Sequence, residues 1–107
     1  MAEPSSTDLA ALNDIDRLIH EPGRLMLMAL LYVVQSADFT FLMDQTGLTW
    51  GNLSTHLTKL EEAGYIAINK EFKGKKPHTT INLTKQGRTA FREYKKSMQA
   101  VLDDLPD

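Results

Sequence analysis

"TWGNLSTHLTKLEEAGYI", Thr49 to Ile66, decides the fold. At about 100° per residue, Leu53, Leu57 and Leu60 fall along one side of a helix. Trp50 and His56 flank that side, Trp50 as a hydrophobic anchor for the helix start and His56 as a packed, hydrogen-bonded histidine. The opposite face holds Gly51, Asn52, Thr55, Thr58, Lys59 and Glu62, with Ser54 near the border. A face that needed only solvation would more often carry Glu, Lys and Gln. These are short hydrogen-bonding groups, with a poor helix former among them. Thr49 is a natural N-cap, and Gly64 fits a left-handed stop.

Working upstream, Gly47 marks a chain reversal, and Asp38 caps a short helix from Phe39 to Gln45. Two helices around one tight turn read as a helix-turn-helix. Pro22 suits the first turn of a helix running from about Gly23 to Gln35, because its missing N–H costs nothing there. That helix is apolar nearly all round, as a core helix would be. Ser36, Ala37 and Asp38 read as a break. Ser5 and Asp8 have capping-box spacing, and Leu9, Leu12, Ile15, Leu18 and Ile19 continue at helical spacing, which predicts a first helix to about His20. The seven residues at the start are expected to be flexible.

Downstream, Ile66 and Ile68 alternate with Ala67 and Asn69, and Ile81 and Leu83 share one face of "HTTINL" (78–83). Two alternating runs around the loop Lys73 to Pro77 read as a β-hairpin. Thr84 caps a last helix to about Leu102. The fold class is α+β, mainly helical: one winged helix-turn-helix domain over residues 1–107, with a two-stranded wing and long N- and C-terminal helices.

Composition fits such a domain, at 107 residues, 42% hydrophobic and 24% charged. There is no cysteine, so disulfides, thiolate metal sites and cysteine nucleophiles are all absent. The three histidines at 20, 56 and 78 are scattered, and no metal or cofactor is expected. The longest apolar run, Leu25 to Val34, is well below the roughly 20 residues a bilayer span requires. The chain is expected to be soluble and cytoplasmic, with no membrane partner. Nothing resembles a nucleophile–base pair or a phosphate-binding glycine loop, so an enzyme is not expected.

Net charge is −2, but it is unevenly placed. Tyr65 to Lys96 holds nine cations and two anions, a net of +7, against −9 for the remainder. Asymmetry of that kind favours a polyanion partner. Lys70, Lys73, Lys75 and Lys76 crowd the hairpin end, and lysines there supply phosphate contacts rather than sequence choice. In a helix-turn-helix the second helix enters the major groove and reads base edges near its N-terminal end. Asn pairs with adenine, and Ser or Thr contacts bases or the thymine methyl. The DNA-contacting set is therefore Thr49, Gly51, Asn52, Ser54, Thr55, Thr58 and Lys59 on the helix (about 49–63), Lys73, Lys75 and Lys76 on the wing (73–77), and Arg88.

Three stretches together resemble the winged-helix transcriptional regulators of the MarR and ArsR type, in their small single-domain branch. They are "IHEPGRLMLMALL" (19–31), "LTWGNLSTHLTKLEEAGYI" (48–66) and "KKPHTTINLTKQGRTAF" (75–91). The resemblance covers roughly residues 15 to 95 and includes Pro22, Arg24, Ser54, His56, Gly64, Tyr65, Leu83, Thr84, Gly87 and Arg88. It implies a homodimer that binds double-stranded DNA, usually as a repressor, with the first and last helices making the dimer. The apolar stripe Phe91, Tyr94, Met98, Val101 and Leu102, with Leu9 and Leu12, agrees with that use. The chain departs from metal-sensing relatives in lacking cysteine, and no residue marks a small-molecule effector site. The alternative is a winged-helix module for protein–protein assembly or RNA binding. The short polar face and the lysine-rich wing favour DNA over it.

Overall fold

Leu53, Leu57 and Leu60 are buried to within 2% of full enclosure, and burying three such side chains supplies roughly 2 kcal/mol each. That stripe seats the central helix in a computed structural model that describes residues 9–107. The elements run α1 (Pro22–Val34), β1 (Ser36–Asp38), α2 (Phe39–Thr46), α3 (Trp50–Glu62), β2 (Ile66–Lys73), β3 (Lys76–Leu83) and α4 (Lys85–Asp103). A short 3-10 helix, Leu9–Asp14, precedes them.

The helix ends obey local chemistry. Pro22 opens α1, with the Glu21 carboxylate accepting from the Arg24 N–H at 2.9 Å. Asp38 accepts from the Phe41 N–H at 2.8 Å, Thr49 from Asn52 at 3.2 Å, and Thr84 from Gly87 at 2.9 Å. Gly47 and Gly64 both take positive φ, 72° and 82°. At the end of α3 the Gly64 N–H donates to Glu61 O at 2.9 Å and the Tyr65 N–H to Leu60 O at 3.0 Å. Those two bonds make a Schellman close and aim the chain into β2.

The structure corrects the sequence reading at three places. The segment before α1 is not one long helix to His20: among the described residues it is the six-residue 3-10 helix followed by turns. Asp16 explains the break. Its Oδ1 accepts from the N–H groups of Leu18 and Ile19 at 2.9 and 3.1 Å, offering the backbone an alternative to helix. The Ser5/Asp8 capping box and the segment expected to be flexible lie outside the described residues. Ser36–Asp38 is a strand rather than a plain break, so the sheet has three strands in the order β1-β3-β2. Gln35 takes φ 72° and turns the chain sharply, and Ser36, Ala37 and Asp38 then pair antiparallel with Asn82, Ile81 and Thr80. Finally, the wing is longer than expected. Lys73, Lys76 and Pro77 belong to strands, and the turn is Gly74 and Lys75 alone, with Gly74 at φ 65°.

One core joins all layers, built around Ile19, Leu27, Leu31, Leu42, Leu53 and Ile81, all at 0% exposure. No buried polar side chain lacks a partner among the described residues.

Candidate nucleic-acid interface

With its leucines inward, α3 turns Gly51, Asn52, Thr55, Thr58 and Lys59 to solvent, and the capping Thr49 is exposed beside them. The two threonines are not free hydroxyls. Thr55 Oγ1 donates to Gly51 O at 3.0 Å, and Thr58 Oγ1 donates to Ser54 O at 2.9 Å. Each hydroxyl proton is thereby spent on the helix backbone. What remains on the outer face is a methyl group and an acceptor lone pair. Gly51 has open space around it, and a Cβ placed there would meet nothing within 4 Å.

The inner edge of α3 is fixed against the start of α1. His56 is mostly buried; its Nδ1 lies 3.2 Å from Arg24 Nη1 and 3.7 Å from Glu21 Oε1. Arg24 Nε in turn donates to Leu18 O at 2.6 Å. The Arg24 backbone N–H, with the charges of His56 and Arg24, holds the Glu21 carboxyl below its ordinary pKa against the opposing effect of burial. Gly23 lets the ring come this close, because a Cβ would sit 2.5 Å from His56 Nε2 and push it aside.

Beside α3 stands the wing. Lys73 and Lys76 are directly opposite one another across the turn, and Lys75 sits in it, all exposed. Lys70 pairs with Thr79 on the face that looks toward α3. Between helix and wing runs an open groove of about 460 Å³, lined by Phe39, Met43, Trp50, Ser54, Ile68 and Lys70 among others. A protruding helix with a short polar face, flanked by a cationic hairpin, is the layout of a winged DNA-binding domain.

The family model described as "Winged helix DNA-binding domain" matches residues 24–102, most of the chain. The chain belongs to the winged-helix DNA-binding domain family. An uncharacterized protein of Methanocaldococcus jannaschii is 39% identical over 78 residues, which is 73% of this chain and 85% of that one. A transcriptional regulator homologue from Pyrococcus horikoshii OT3 superposes with a TM-score of 0.83 at 28% identity, over 89% of this chain and 96% of that structure. The fold is also that of reduced AbfR bound to DNA, with a TM-score of 0.61 at 18% identity over 78% of this chain and 57% of that one. Solved structures that share the fold include transcriptional regulators, one of them of the ArsR family. This is a family and fold of DNA-binding regulators rather than of enzymes.

Within this winged helix, the expected residues divide into groups. The α3 set and Lys73, Lys75 and Lys76 are all exposed, except Ser54, which is half-buried on the groove wall. Arg88 is not free in the same way. Its guanidinium lies 4.5 Å from the centre of the Tyr32 ring and donates to Tyr32 O at 3.4 Å, joining α4 to α1. Arg92 and Arg88 also hold the Tyr32 phenol below its ordinary pKa, Arg92 chiefly by a hydrogen bond.

The stripe expected at a dimer contact is split as well. Phe91, Tyr94 and Val101 are buried within the chain, and Met98 packs against the core. Phe91 meets Tyr32 in a tilted ring contact at 5.1 Å between centroids, and the Tyr94 hydroxyl lies 2.7 Å from His20 Nδ1. Leu9, Leu12, Leu102 and Leu105 remain exposed.

Sequence reasoning left out two exposed aromatic residues of this candidate surface. Trp50 was expected as an anchor; its ring does lie 5.6 Å from Phe39, yet it is 65% exposed on the groove rim. Phe72 continues the alternation of Ile66 and Ile68, which signals burial, but it stands on the wing beyond the body and is 73% exposed. Among the described residues, no group of three or more His, Cys, Asp or Glu side chains is placed to hold a metal ion, and no helix is long and apolar enough to cross a membrane.

Proposed function

We propose that this protein is a homodimeric transcriptional regulator that binds double-stranded DNA by sequence and represses the genes it occupies. In this reading α3 enters the major groove. Asn52, Thr55, Thr58 and Lys59 meet base edges or phosphates near the start of the helix, while Thr49, Gly51 and Ser54 let its N-terminus approach the backbone. Lys73, Lys75 and Lys76 clamp phosphates from the wing. Arg88 contributes to the positive field of that side from its seat on Tyr32.

The observation that carries the reading is the pairing of Lys73 with Lys76, with Lys75 between them, next to an exposed polar face on α3. Facing lysines weaken a hairpin, so their concentration at the wing is accounted for by a polyanion. The family supports DNA as that polyanion, and a neighbour in fold was solved bound to it. Dimer formation is supported by the exposed Leu9, Leu12 and Leu102 at the two ends of the domain, backed from inside by Phe91, Tyr94, Met98 and Val101.

Fluorescence anisotropy on random-sequence duplex DNA across a salt series tests the reading, with a Lys75→Ala/Lys76→Ala variant beside the native protein. The expected result is binding at low salt that weakens steeply as salt rises, with a shallower slope in the variant. Absence of binding at about 50 mM salt, where non-specific affinity is strong, defeats the proposal and turns attention to protein or RNA partners.

A further inference from the structure

Phe72 gains nothing inside the chain. It is 73% exposed, so the roughly 1.5–3 kcal/mol that a buried Phe supplies is forgone. Its cross-strand partner is Pro77, which is exposed too and has no N–H to donate. The pair therefore forms a small apolar facet at the wing tip. Strand alternation places this facet on the face of Ile68 and Ile81, the face that lines the groove beside α3. Lys70 stands on that same face, Lys73 and Lys76 flank the facet from the opposite face, and Lys75 sits in the turn, all exposed.

An apolar tip in a cationic collar matches a surface with anionic walls and a less polar floor. The minor groove is such a surface: phosphates rim it, with sugars and base edges between. The reach also fits. Phe72 lies four residues beyond Ile68, about 13 Å at the rise of a strand. The minor groove next to an occupied major groove lies about half a helical turn away, roughly 17 Å.

We propose that Phe72, backed by Pro77, is a wedge that enters the flanking minor groove and levers open a base step, so that the protein bends the DNA it binds. This rests on the DNA-binding function proposed above and adds a deformation to it. Pyrimidine–purine steps open most easily, and apolar side chains between base steps kink the duplex toward the major groove. The lysines of the collar hold the walls while the ring parts the bases.

The test uses an end-labelled duplex of about three helical turns carrying a donor and an acceptor dye. It is titrated with the full chain, with Phe72→Ser and with Phe72→Leu. Energy transfer reports the bend, and anisotropy across salt reports affinity and phosphate contacts. With the wedge in place, the native protein raises energy transfer. Phe72→Ser binds about tenfold more weakly, keeps the same salt slope and leaves the duplex straight, while Phe72→Leu restores the bend in part. Thermal melting of all three chains should coincide, because the ring is exposed.

Equal bending and affinity in Phe72→Ser overturn the wedge while leaving the DNA reading intact. No binding by the native chain overturns both. Vesicles rich in phosphatidylserine form the last arm. Vesicle binding that depends on Phe72, with DNA binding that does not, assigns the tip to an anionic membrane surface and overturns the wedge.

Discussion

Lys73 and Lys76 face each other in register across a turn of two residues. No acidic residue is paired with either, and the next pairs inward are Phe72 with Pro77 and Glu71 with His78. Opposed like charges cost a hairpin a few tenths of a kcal/mol, roughly 0.2–1. Replacing both with alanine should therefore leave the melting temperature unchanged or slightly raised. The same change should lower the log–log salt slope of DNA binding by about 1.8, at about 0.9 per lost phosphate contact. Calorimetry and a salt titration of one double variant test both halves. A slope equal to that of the native chain removes these lysines from the interface.

Gly51 offers a second separation of folding from function. Glycine inside a helix costs about 1 kcal/mol relative to alanine, and nothing in the chain occupies the space a Cβ would fill. Gly51→Ala should raise stability by up to about that amount in urea denaturation. If α3 approaches a DNA backbone there, the added methyl should weaken binding severalfold. A variant that is more stable and binds equally well sinks the close approach at Gly51.

The back-bonded threonines fix what α3 can read. With their protons donated to Gly51 O and Ser54 O, Thr55 and Thr58 present methyl groups that suit the thymine methyl. Thr55→Val and Thr58→Val keep that surface, whereas Thr55→Ser and Thr58→Ser remove it. Sites selected from a random pool should be bound nearly as well by the valine variants and distinctly less well by the serine variants. Replacing thymine with uracil in the selected site should weaken the native chain and leave the serine variants little affected. Loss of binding in the valine variants would instead show that the hydroxyls turn outward on DNA.

Most of the frame was legible because its punctuation is local chemistry. Pro22, Asp38, Gly47, Thr49, Gly64 and Thr84 each mark an end that one hydrogen bond or one φ angle explains. The strand Ser36–Asp38 was not legible, because three residues show no period and pair only when β3 presents its free edge. The end of the N-terminal helical pattern was hidden in Asp16, whose side chain competes with the backbone while the apolar spacing of Ile15, Leu18 and Ile19 continues. At the candidate interface, the face of α3 followed from the leucine stripe. The seat of Arg88 on Tyr32 and the exposure of Phe72 did not, since a charge count says nothing of ring contacts and alternation says nothing of where the body of the protein ends.

Two glycines should respond to alanine in different ways. At Gly87 a Cβ would lie 2.1 Å from Tyr65 O, a backbone atom that cannot step aside without moving the start of α4. Gly87→Ala should cost at least about 1–3 kcal/mol, as overpacking does. At Gly23 the clash is with the His56 ring, a side chain that can swing away. Gly23→Ala should cost less stability, but it breaks the contact of His56 with Arg24 and loosens the inner edge of α3. DNA affinity should then fall by more than stability does. Denaturation midpoints and anisotropy on the same two variants decide this, and equal losses of stability would count against the distinction.

Tyr65 ties this packing to alkaline pH. Its hydroxyl donates to Asp16 Oδ2, tying the entry to β2 to the turn before α1. Burial first, and then the hydrogen bond and charge of Asp16, raise the phenol from 10.0 to about 12. The folded chain thus keeps the proton after an unfolded tyrosine has released it. Between those two values the unfolded state binds fewer protons, so stability falls as pH rises. The contribution is present in full below the unfolded value and is lost on the way to the folded one. Tyr65→Phe cannot ionise and forgoes the bond to Asp16. It should be less stable than the native chain near neutrality and show a flatter decline above pH 10, so that the two curves converge. Burial raises Tyr94 as well, but that residue is common to both chains and cancels in the difference. Urea midpoints taken from neutral to strongly alkaline pH measure the effect. Parallel curves for the two chains would mean that Tyr65 titrates alike in the folded and unfolded states, and would remove the phenol–carboxylate tie from the account of what holds α3 and β2 to the N-terminal turn.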